Sequence, residues 1–119
     1  MMYIDGFLVP VHKDKIEAYR VMSETALAVW MDHGALTAVE AMGDDVPDGV
    51  HTSFPMAVKL QPGEVVFFSF ITYRDRAHRD AVNAAVMADP RIADMPTDVF
   101  DGKRMIWGGF VPLVTKGLG

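Results

Sequence analysis

The sequence contains no cysteine, which excludes disulfides, thiolate catalysis and any metal site built on sulfur ligands. It also lacks an apolar run approaching the roughly 20 residues that a membrane helix requires. Asp5 interrupts the amino-terminal stretch where a secretion signal would be apolar, and no basic residue precedes it, so a cytoplasmic location is expected. Positive charge is scarce as well. Sixteen acidic residues against eleven basic ones leave a net charge of −5, the wrong sign for following a phosphate backbone. The basic residues alternate with acids, as in Arg74, Asp75, Arg76, Arg79 and Asp80, so nucleic acid is a poor candidate partner. The histidines His12, His33, His51 and His78 show no close ligand spacing, and no cofactor or metal is expected.

Apolar material, by contrast, is plentiful. Half of the 119 residues are hydrophobic and 23% are charged, which is ample for one core, and the length suits a single domain over residues 1–119. Tyr3 to Val11 is apolar on both alternating sets and reads as a strand covered on both faces. From Lys13 to His33 the period changes, with Ile16, Tyr19, Ser23, Ala26 and Trp30 at steps of three and four, and Gly34 supplies a stop. Ala35 to Met42 alternates as a second strand. The long connection from 45 to 64 should contain a short helix capped by Ser53, because Pro55 is tolerated in a first turn. Val65 to Tyr73 is the most apolar stretch and reads as a central strand. Asp75 caps a predicted helix over Arg76 to Ala88 that must stop before Pro90. A loop from Arg91 to Lys103 then leads to a last strand from Arg104 to Val114, and the tail from Lys116 to Gly119 is expected to fray.

The order βαββαβ predicts an α+β fold of the ferredoxin-like kind: two right-handed βαβ-type units that place both helices on one face of a four-stranded antiparallel sheet. Because the strands are apolar on both sets, the other face would expose a greasy patch in a monomer. Packing two sheets face to face removes it, so a homodimer is expected.

Several polar groups stand out against this background. Arg74 ends the central strand beside the helix that starts after Asp75, and His78 lies in that helix's first turn, where the helix dipole adds partial positive charge. Together they could receive an anionic group; the plainer reading gives His78 a packing role and pairs Arg74 with Asp75, Asp80 or Asp5. Asp5 interrupts an apolar central strand and needs a cation or water, for which Arg104 is one candidate. His51, Thr52 and Ser53 cluster without an acid at triad spacing, so a hydrolase is a poor reading, although His51 stays among the candidate ligand-binding residues. Trp107, with Trp30 and the methionines, could line an adaptable pocket, and apolar residues at these periods otherwise form core.

Four stretches, YIDGFLVPV, HTSFPMAVKL, YRDRAHRDAVNAAVMADPRI and FDGKRMIWGGF, resemble the YbaA-like family of short uncharacterised bacterial proteins across nearly the whole chain. The resemblance implies membership of the dimeric α/β barrel superfamily and brings no catalytic residue with it. Enzymes of that wider superfamily include cofactor-free monooxygenases, haem-dependent chlorite-degrading enzymes and small isomerases, and no motif places this chain among them. Three functional readings follow. The first is a homodimer that binds or converts a small, partly anionic molecule in a pocket between sheet and helices, lined by Arg74, His78, Trp107 and residues of the 45 to 60 loop. The second is a noncatalytic homodimer acting through its surface. The third and weakest is an RNA-associated protein. The first requires a partly polar cavity; the second requires filled cores and an exposed patch.

Overall fold

The computed structural model describes residues 2–117. Of the tail expected to fray, Leu118 and Gly119 lie outside the described residues. The elements run β1 (Tyr3–His12), α1 (Ile16–Asp32), β2 (Thr37–Met42), α2 (Phe54–Ala57), β3 (Glu64–Tyr73), α3 (Arg76–Met87), α4 (Pro90–Ala93) and β4 (Ile106–Phe110), with a single turn of 3₁₀ helix at Lys13–Lys15 leading into α1. The four strands form one sheet in the order β2-β3-β1-β4, all neighbours antiparallel. This is the ferredoxin-like arrangement, with the two most apolar strands in the centre.

Local chemistry sets the boundaries. The Asp75 carboxylate accepts the His78 amide at 2.7 Å and starts α3, and the Ser53 hydroxyl accepts the Met56 amide at 3.1 Å and starts α2. Gly34, at a φ of 110°, turns the chain out of α1 in a conformation that side chains resist. Two boundaries differ from expectation. The predicted loop from Arg91 instead begins within α4, which Asp89 caps by accepting the Arg91 amide at 2.9 Å while Pro90 occupies the first turn. β4 is confined to five residues, Ile106–Phe110, because its partners on β1 run only from Leu8 back to Ile4. Beyond them Pro10 and Pro112 offer no amide for a ladder.

The helix-facing side of the sheet carries two separate apolar clusters. Tyr3, Val29, Ala35, Ile71, Tyr73, Val82 and Val86 form one; Val9, Val11, Tyr19, Phe67 and Val99 form the other. Phe7, partly buried, packs against both. The opposite face is open: Val39, Phe68, Ile106 and Phe110 are 39%, 46%, 44% and 61% exposed. Gly6 and Gly108 face each other across β1 and β4, and the Phe110 ring lies over the shallow trough that they leave.

Candidate functional site

Between the two clusters, under the middle of the sheet, lies a cavity of about 710 Å³, within the range of roughly 300–1,000 Å³ common to small-molecule sites. Its floor is the sheet and its walls come from α1, α3, α4 and the segment from Met95 to Met105. Strand register explains the floor. Glu40 pairs with Ser69, Ser69 with Phe7 and Phe7 with Trp107, so four side chains form one row across all four strands on the cavity side. The next row holds Ala38, Ile71, Asp5 and Gly109.

Asp5 anchors one end. Its side chain is 1% exposed, and the Arg79 Nε donates to both carboxylate oxygens, at 3.0 and 3.1 Å. The Tyr73 hydroxyl donates to Asp5 Oδ2 at 3.0 Å, and Asn83 Nδ2 lies 3.3 Å from the same oxygen. Trp30 Nε1 donates to Asn83 Oδ1 at 3.1 Å, joining α1 to this network. The Arg79 guanidinium lies over the rings of Tyr3 and Trp107, 5.1 and 5.9 Å from their centroids. Gly109 makes room for this stack, since a Cβ there would run into the Tyr3 hydroxyl and the guanidinium. Arg79 is held charged chiefly by its hydrogen bonds to Asp5, and burial pushes the Tyr73 phenol up.

Glu40 marks the other polar group. The Tyr19 hydroxyl, from α1, donates to Glu40 Oε1 at 2.7 Å. Burial raises the Glu40 carboxyl above its ordinary value, and hydrogen bonds from Tyr19 and Ser69 only partly offset it. The Tyr19 phenol is raised too, by burial first and then by Glu40. Asp5 is charge-paired; among the described residues Glu40 has no such partner.

Of the residues singled out from the sequence, Asp5 and Trp107 line the cavity and Arg74, His78 and His51 do not. Arg74 and His78 do meet: the His78 Nδ1 accepts the Arg74 amide at 3.0 Å, and the histidine ring lies against Gly34. Both sit outside the cavity at the start of α3. His51 is exposed in the connection before α2, and residues 45–60 contribute nothing to the cavity wall. The partner suggested for Asp5 was Arg104, which instead pairs with Glu64 at 2.6 Å and Asp101 at 2.8 Å. Register is the reason, since the β4 residue opposite Asp5 is Gly109 and Arg104 precedes the strand. Arg104 also donates to the Lys59 carbonyl at 3.1 Å and so pins the loop after α2. Glu40, Tyr19, Ser69 and Asn83 were not foreseen. Among the described residues no group of three or more His, Asp or Glu side chains is placed to hold a metal ion.

A family model described as a protein of unknown function, DUF1428, matches residues 2–102. The chain belongs to this family. The uncharacterized protein YbaA of Escherichia coli K12 is 47% identical over 117 residues, covering 98% of this chain and 100% of its own, and YbaA of Shigella flexneri matches to the same extent. Among solved structures, a dimeric ferredoxin-like protein from an uncultured marine organism superposes with a TM-score of 0.62 at 11% identity, covering 98% of this chain and 100% of that one. A mutant of SnoaB, a cofactor-independent oxygenase from Streptomyces nogalater, gives a TM-score of 0.59 at 16% identity, covering 96% and 95%. At such identities the likeness shows the fold alone. For this DUF1428 chain it bears out the ferredoxin-like architecture, and among the described residues no helix is long and apolar enough to cross a membrane.

Proposed function

We propose that the protein binds a small, largely apolar and uncharged molecule in the cavity between sheet and helices. The observation that carries this reading is the cavity itself, about 710 Å³ left open between two packed clusters, where a domain without a ligand to hold would close the gap with side chains. Its lining is aromatic and aliphatic, including Phe7, Trp30, Phe100 and Trp107. Its charged groups are the acids Asp5 and Glu40, which argues against the anion expected from Arg74 and His78. Among the described residues no fully buried side-chain nitrogen or oxygen lacks a hydrogen-bond partner, so nothing in the wall requires a charged ligand. Titration with 2-naphthol, followed by the fluorescence of Trp30 and Trp107, tests the reading. Saturable quenching that disappears when Ala26→Trp fills the cavity supports it; unsaturable quenching, identical in that variant, contradicts it.

The exposed outer face supports a second element of the reading, a homodimer joined through that face. Val39, Phe68, Ile106 and Phe110 form a patch on it, and the partner that fits is a second copy presenting the same apolar sheet. The marine ferredoxin-like protein of the same fold is itself dimeric. A cavity and an exposed patch thus coexist, and the dimer leaves the cavity, on the opposite side of the sheet, free for a ligand.

A further inference from the structure

We propose that Glu40 is the proton acceptor of an enzyme acting on a small, uncharged carbon acid, such as an enolisable carbonyl compound, held in the cavity. This deepens the ligand-binding reading and rests on it.

The two carboxylates of the cavity differ in their partners. Asp5 is committed: Arg79, Tyr73 and Asn83 occupy its oxygens. Glu40 has the Tyr19 hydroxyl and the Ser69 hydroxyl, and among the described residues no cation acts on it. A partly buried carboxylate without a cation in a largely apolar, half-open pocket costs stability, and a glutamine could accept the Tyr19 hydrogen bond without that cost. An acid at this position therefore points to chemistry that needs a base. Its mounting suits the role. Glu40 stands on a strand, in a row with Ser69, Phe7 and Trp107, so a flat molecule lying along the sheet over Phe7 presents an edge to it. Tyr19 fixes one carboxylate oxygen and orients the group. The groups facing Glu40 are Tyr19 from α1 and Ser69 from β3, while Asp5 and its partner Arg79 lie across the cavity. Burial makes Glu40 a stronger base than a free carboxylate and brings it nearer to neutral pH.

The step balances without a co-reactant. The ionised Glu40 takes a proton from the carbon beside a carbonyl. The C–H electron pair forms a carbon–carbon double bond, and the carbonyl pair moves onto oxygen, giving an enolate and a neutral Glu40. Return of the proton to the same or a conjugated carbon regenerates the carbonyl and the carboxylate, so the net change is an isomerisation or exchange with nothing oxidised or reduced.

The test uses 5-nitrobenzisoxazole, an uncharged carbon acid. A base removes its C3 proton, the C–H pair forms the nitrile, the N–O bond breaks and a coloured phenolate is released. Binding is read separately by quenching of Trp30 and Trp107. The expected result is turnover well above that of equimolar acetate. Glu40→Gln should lower it by about 100-fold or more with unchanged binding, and Glu40→Asp should restore part of it. The rate should rise with pH through a single carboxyl transition, and Tyr19→Phe, which removes a hydrogen bond that favours the ionised form, should move that transition to higher pH. Binding without turnover above acetate, or equal turnover in Glu40→Gln, overturns the proposal and leaves the ligand-binding reading standing. Failure to bind at all overturns both.

Discussion

Arg79 on α3 closes on Asp5 of β1 from 74 positions away, Nε donating to Oδ1 at 3.0 Å and to Oδ2 at 3.1 Å. The pair fastens α3 to the central strand β1 at one end of the cavity. Removing one partner strands a buried charge, whereas removing both does not. Asp5→Ala should therefore cost about 3 kcal/mol or more in chemical denaturation, and a combined Asp5→Leu, Arg79→Leu variant should recover much of that loss.

Glu40 predicts a pH-dependent difference in stability that requires no ligand. Its folded carboxyl is raised above the ordinary 4.5, so the native state holds a proton that the unfolded chain has given up. The resulting contribution is fully present below pH 4.5 and is lost as pH rises through the folded value. Glu40→Gln removes this dependence. Melting curves across the acid to neutral range should show wild type falling relative to the variant as pH increases; a constant difference would mean that Glu40 carries no such shift.

The fold was legible because hydrophobic period and capping chemistry agree along most of the chain: Ser53, Asp75 and Gly34 each mark a boundary that the structure keeps. The short α4 went unread although Asp89 followed by Pro90 is a cap and first-turn signal, because four residues are too few to display a helical period. Asp5 was legible as an acid inside an apolar strand. Its partner was not, since nothing local distinguishes Arg79 from Arg104 until register decides which β4 residue lies opposite. Glu40 escaped for a related reason. On an edge strand a polar residue in an alternating run reads as solvent-facing, and only the placement of α1 over β2 turns it inward to Tyr19.

Arg74 and His78 should be separable from ligand binding. Both stand at the start of α3, outside the cavity, with the His78 ring accepting the Arg74 amide. Arg74→Met and His78→Ala are each expected to leave the 2-naphthol isotherm unchanged. His78→Ala, which deprives that amide of its acceptor, should lower the melting temperature modestly, by an amount equivalent to about 1 kcal/mol.

The dimer is tested on the outer face. Light scattering should return about twice the chain mass of 13.1 kDa. Phe68→Asp combined with Phe110→Asp, both at exposed positions of that face, should yield a folded monomer with unaltered far-ultraviolet circular dichroism. A wild-type monomer at micromolar concentration would refute the assembly.

The methionines offer the most direct view of the cavity. Met22, Met87, Met95 and Met105 line it, while Met31, Met42 and Met56 do not. With ¹³C-methyl methionine and stepwise addition of 2-naphthol, resonances of the first group should shift together along one saturable curve and those of the second should stay in place. Shifts confined to Met31, Met42 and Met56, or no saturable shift in any cavity methionine, would contradict the claim that this cavity is a ligand site.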